Sequence, residues 1–69
     1  MREISRRGGY GPWAELQIGE QFEVRSTRLP VSWLTRRVRA AALQWQQRLP
    51  GRVYRVIEGA DGVVVLRIA

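Results

Sequence analysis

Arg36, Arg37 and Arg39 crowd one short interval, and Gln46 and Gln47 follow two to three helical turns later. Carried on a helix, such a set does binding chemistry. Guanidinium forks hold phosphate oxygens, and a glutamine amide matches the paired donor and acceptor on the major-groove edge of adenine. Trp33 stands on one flank, with a ring that can stack on a base or fill a partner's pocket. Arg25 and Arg28 come just before it, and Arg6 and Arg7 lead into Gly8-Gly9-Tyr10-Gly11, a run of the kind that tracks nucleic acid by charge and stacking. The plain alternative is a solvated helix face and a solubilising terminus. A solvated face, however, normally mixes signs for pairing four residues apart, and residues 31–49 hold four arginines and no acid.

Covalent and acid–base chemistry has far less to work with. The chain has no cysteine and no histidine, so it lacks the best side-chain nucleophile, the commonest general base, and any thiolate or imidazole metal ligand. Glu20 and Glu23 cannot share one side of a strand, and no third acid is near them in sequence. Ser26, Thr27 and Ser32 have no base partner, and the glycine-rich stretch near the N-terminus lacks the lysine and preceding strand of a phosphate-cradling loop. The sequence predicts a non-enzymatic protein with no cofactor and no metal.

The charge balance points the same way. All twelve basic residues are arginine, against six acids, for a net charge of +6. Codon bias in a GC-rich genome accounts for arginine over lysine, but the distribution carries separate information. Val24 to Ile57 holds eight arginines and no acid, a one-signed stretch that needs solvent or an anionic partner. The expected partner is nucleic acid, DNA before RNA. The alternative is an effector that inhibits a host protein by docking this arginine face on an acidic surface. The longest apolar runs are four residues, far short of the roughly 20 that span a bilayer, and Gly8 to Pro12 stand where a signal peptide would need its apolar stretch. A cytoplasmic location is expected, the host cytoplasm if the protein is phage-encoded.

Sixty-nine residues make one small domain near the lower limit for a self-sufficient core, here without disulfide or metal to staple it. Residues 1–12 read as a flexible basic arm and residues 13–69 as a single α+β domain. Trp13, Leu16 and Gly19 recur three apart, as in a tight corner ended by glycine that plugs one edge of the core. Glu20 to Arg25 alternates, with Phe22 and Val24 on the inner face of a first strand. A helix starts between Pro30 and Ser32, Ser32 suiting its N-cap, and stops at Pro50-Gly51. Val31, Leu34, Val38, Ala41, Ala42, Trp45 and Leu49 form its core stripe. Arg52 to Glu58 and Val63 to Ala69 form a hairpin across Gly59 to Gly62. The expected architecture is two layers, one amphipathic helix packed on a three-stranded sheet in the order β-α-β-β. Its core is expected at Phe22, Leu34, Val38, Trp45, Val56, Leu66 and Ile68. That assignment turns Val53, Arg55, Ile57, Val63, Val65 and Arg67 outward, and Val53, Ile57, Val63 and Val65 would then be the interface of a homodimer.

The pattern Trp13-x-x-Leu16-x-x-Gly19-Glu20-x-Phe22-x-Val24, a basic helix, then Tyr54-x-Val56 and a glycine turn into Val64-x-Leu66-Arg67-Ile68, resembles small functionally uncharacterised proteins of bacteriophages and prophages. In such proteins an aromatic residue often stands at the position of Leu66. The resemblance implies a phage-like origin and the same order of elements, and brings no activity or site residues with it.

Overall fold

The computed structural model describes residues 11–69, which form β1 (Gln21–Val24), α1 (Val31–Arg48), β2 (Tyr54–Glu58) and β3 (Val63–Arg67). One helix packs on one face of a three-stranded sheet, the expected α+β architecture. The strand order is β1-β3-β2, and the central β3 runs antiparallel to both neighbours. β1 and β2 therefore point the same way without pairing. The helix carries the chain from one edge to the other, and the hairpin returns β3 into the gap.

Each element forms for a local reason. β1 alternates as its sequence does, with Phe22 and Val24 buried and Gln21 and Glu23 exposed. Pro30, in extended conformation, supplies the carbonyl that accepts the N–H groups of Trp33 and Leu34 at 3.1 and 3.0 Å. Ser32, expected as the N-cap, lies inside the first turn instead, and no side chain caps that end. At the other end the Leu49 N–H still reaches the Trp45 carbonyl at 2.9 Å, after which Gly51 turns the chain with φ 91°. Leu34, Val38 and Ala42 are buried, and Ala41 and Trp45 pack against them. Thr35 also goes inside, where its hydroxyl donates to the Val31 carbonyl at 2.9 Å and so leaves no unpaired group.

The hairpin decides the facing of β3. The Gly59 N–H donates to the Gly62 carbonyl at 2.8 Å across a four-residue loop, which sets Glu58 opposite Val63, Val56 opposite Val65 and Tyr54 opposite Arg67. Residues directly opposite share a face, so with Tyr54 inside, Val63, Val65 and Arg67 go inside too. This reverses the expected assignment. Val63 and Val65 are fully buried core residues, whereas Leu66 lies on the outer face and Ile68 is 48% exposed. β3 is apolar on both alternating sets, so its periodicity holds no information about facing, and loop length settles it.

The helix lies over β2 and β3 and leaves the inner face of β1 to the corner at residues 13–19. Trp13 is fully buried there, edge-on to Phe22 and Tyr54 at 5.1 Å each and stacked at 6.5 Å on Trp45. Leu16 is buried beside it, and Gly19 closes the corner at φ 87°. Gly11 and Pro12, placed in the arm by the sequence, are buried as well, and a Cβ at Gly11 would overlap the Phe22 ring.

The facing of β3 is open to a direct test by denaturation. Val65→Ala should cost about 2 kcal/mol, as the loss of two buried methyl groups from a filled core does, and Val64→Ala well under about 1 kcal/mol. The opposite ranking would contradict the register.

Candidate nucleic-acid interface

The arginines separate into a structural set and a free set. Arg52 donates from Nη1 to the carbonyls of Ala14 and Trp13 at 2.9 and 3.3 Å and to the Tyr54 hydroxyl at 3.3 Å. The same hydroxyl donates to the Trp13 carbonyl at 2.8 Å. Arg67, expected to face outward, instead donates from Nη1 to the Leu16 carbonyl and from Nε to the Ala69 carbonyl, both at 2.9 Å. Its inward position is tolerated because it sits at the end of the sheet, where the corner offers carbonyls to a charged donor. Arg48 lies over the Trp45 ring, 5.2 Å from its centroid. The guanidiniums of Arg52 and Arg67 hold the corner to the sheet.

Arg36, Arg37 and Arg39 are exposed and form no ion pair or hydrogen bond among the described residues. At about 100° per residue, Arg37 stands about 100° to one side of Arg36 and Arg39 about 60° to the other. Their Cα atoms lie within about 5 Å of one another along the axis. They make a fan around the outer half of α1. Trp33 and Leu43, 57% and 61% exposed, sit between the arms of that fan. Gln47 is exposed and aligns within about 20° of Arg36.

Gln46 stands at the edge of this surface, half-buried beside β2. Its Oε1 accepts the backbone N–H of Tyr54 at 2.9 Å, which closes the end of the free edge of β2. Its oxygen is thus engaged by the edge strand, whereas Gln47 is exposed on the outer face. Between α1 and β2 runs a shallow groove of about 340 Å³, floored by Ala42, Leu43 and Val56 and flanked by Arg39 and Arg55. Sequence reasoning missed that Arg55 accompanies Arg39. The pairing depends on β2 being the edge strand beneath the helix, which no local pattern encodes.

Arg25 pairs with Glu23 at 3.1 Å on the exposed end of β1, where such a pair adds little stability. Arg28 is exposed in the turn that leads into α1, where Ser26 Oγ accepts the N–H groups of Arg28 and Leu29 at 3.2 Å each. Arg6 and Arg7 lie outside the described residues. Of the four residues expected to form a dimer interface, Val53 and Ile57 are 42% and 45% exposed, while Val63 and Val65 are buried on the opposite face and unavailable. Among the described residues no cluster of three acidic side chains stands ready to hold a metal ion, and no helix is long and apolar enough to cross a membrane. Comparison with protein-family models, with curated proteins and with solved structures finds no match.

The two arginine sets should separate in thermal denaturation. Arg52→Ala and Arg67→Ala remove charged donors from carbonyls and should each cost about 1–3 kcal/mol, a fall in Tm on the order of 10 °C for a domain of this size. Arg36→Ala, Arg37→Ala and Arg39→Ala should stay within about 0.5 kcal/mol of the unmodified protein. Equal losses in the two sets would contradict the division.

Proposed function

We propose that the protein is a small, non-enzymatic, phage-like nucleic-acid-binding protein that lays the outer half of α1 in the major groove of duplex DNA. The observation that carries this reading is the fan of unpaired guanidiniums on a helix that bears no acid. A helix seated in a groove about 12 Å wide meets phosphates on both of its flanks and base edges at its crest. Arg37 and Arg39 take the flanks. Arg36 and Gln47 take the crest, where a guanidinium reads guanine and an amide with both its atoms unengaged reads adenine. Leu43 near the crest is suited to a thymine methyl, and Arg28, Arg25 and the Arg6-Arg7 segment add backbone contacts beyond the helix. The sheet presents no exposed aromatic platform, which favours duplex DNA over single-stranded RNA.

A second reading rests on the exposure of Leu43, which lines the groove that Arg39 and Arg55 flank, and of Trp33 on the other flank of the helix. Apolar side chains ringed by arginine also fit an acidic protein surface, where tryptophan and arginine are enriched at hot spots. On this reading the protein is a phage-type effector that inhibits a host protein. Pull-down from nuclease-treated host lysate separates the two: loss of every partner favours nucleic acid, and a stoichiometric protein that survives the nuclease favours the effector.

Binding to duplex DNA should weaken with salt, each phosphate contact contributing about −0.9 to the slope of log affinity against log salt. Arg37→Ala and Arg39→Ala should each reduce that slope by about 0.9, measured by fluorescence anisotropy on a labelled duplex. No binding at low salt, or a doubly substituted protein that binds like the unmodified one, would end the reading.

A further inference from the structure

β2 is an edge strand, and every second residue of it turns its backbone groups away from the sheet. Ile68 donates its N–H to the Val53 carbonyl at 2.9 Å and Gly59 donates to the Gly62 carbonyl at 2.8 Å, so Arg55 and Ile57 between them also turn their backbone groups to β3. Tyr54, Val56 and Glu58 turn theirs to the outer edge, where no described strand lies. Gln46 Oε1 accepts the Tyr54 N–H at 2.9 Å. The Tyr54 carbonyl and both backbone groups of Val56 are left without a partner among the described residues. Beside them opens the groove between α1 and β2, with Leu43 61% exposed in it.

We propose that this edge and groove bind an extended acidic peptide, which joins the sheet as a fourth strand beside β2 and lays an apolar side chain on Leu43 and Val56 between the guanidiniums of Arg39 and Arg55. The backbone of Val56 and the Tyr54 carbonyl supply the main-chain bonds, and alternate side chains of the peptide enter the groove. Gln46 ends the pairing, because the Tyr54 N–H that would form the next rung is already engaged.

Charge selects the occupant. Arg39 and Arg55 are the only charged residues that line the groove, and neither forms an ion pair or a hydrogen bond among the described residues. A second copy joined edge to edge along β2 would bring two of each guanidinium to one seam, like charge on like. It would also find the Tyr54 N–H of both chains taken. The proposal stands apart from the nucleic-acid reading, which uses the crest and flanks of α1 and leaves the edge of β2 idle. The five residues of β2 span about 17 Å, enough for a few main-chain bonds and one covered apolar side chain. Such a contact is weak, with Kd on the order of 100 μM.

The test is fluorescence anisotropy at low salt with a labelled peptide of about eight residues that alternates glutamate and valine, titrated with the full chain to about 1 mM. The peptide should bind, and its lysine–valine counterpart should bind at least about ten-fold more weakly. Methylating the backbone nitrogens of one alternate set of residues should abolish binding, and methylating the other set should leave it within about two-fold, since only one set faces β2. Leu43→Glu, at an exposed position where folding is not at stake, and Arg55→Gln should each weaken binding at least about five-fold with an unchanged far-ultraviolet spectrum. Arg55→Gln should keep duplex DNA affinity within about two-fold, so a failure of this proposal and a failure of the nucleic-acid reading are read separately. No binding at about 1 mM, equal effects of the two methylated sets, or a dimer in sedimentation that Leu43→Glu breaks would overturn the proposal, the last by giving the groove to a second copy.

Discussion

The packing of this domain depends on the corner that holds Trp13. A single helix cannot cover a three-stranded sheet, and α1 lies over β2 and β3 only. The inner face of β1 would be open to water if Trp13 and Leu16 did not fill it. An aromatic ring of that size buries well over 100 Å², a large share of the core in a chain this small. The ring is held by contacts from three elements, Phe22 on β1, Trp45 on α1 and Tyr54 on β2. The backbone of the corner is held separately, by Tyr54, Arg52 and Arg67 on its carbonyls and by the Gly19 N–H on the Arg67 carbonyl at 2.8 Å. Non-local side-chain and backbone bonds here replace the disulfide or metal that domains of this size often use.

That constraint explains how the charge is distributed. Arginine at the sheet ends is drawn inward because irregular backbone leaves carbonyls without partners, and a guanidinium can satisfy two or three of them at once. Arginine on the outer half of α1 has no such carbonyls within reach, since the helix pairs its own. The same residue type therefore does two jobs according to the backbone beside it. The three surfaces of the domain fall out of this: an inner core, a basic helix crest and an apolar outer sheet face.

The elements of the fold were legible in the sequence, and the limits of that reading are physical. Period two marked β1, the 3.6 period marked the core stripe of α1, and the glycine turn marked the hairpin, because each of these is a local signal. β3 was misread because Val63, Val64, Val65 and Leu66 are all apolar and alternation cannot choose between their faces. The four-residue loop held the answer: with Glu58 opposite Val63, Tyr54 and Val56 must share a face with Arg67 and Val65. That register turns an arginine inward, where the Leu16 carbonyl that receives Arg67 comes from 51 residues away. The hydrogen bond of Gln46 was illegible for the same reason. Its helical angle placed it near the outer face, but its partner is the end of an edge strand whose place in the sheet no window of sequence reveals. Arg36, Arg37 and Arg39 were placed correctly because an exposed helix face is set by the helix alone.

The central claim is that the arginines divide into those spent on the fold and those left for a partner, and nitrogen-15 spectra of the arginine Nε–H groups test it most directly. In the free protein, the Nε–H of Arg67, bonded to the Ala69 carbonyl, should exchange slowly with water, and those of Arg36, Arg37 and Arg39 quickly. On titration with duplex DNA, the helix signals should shift and sharpen while those of Arg52 and Arg67 stay in place. Helix signals that remain unmoved while Arg52 or Arg67 shifts would contradict the account.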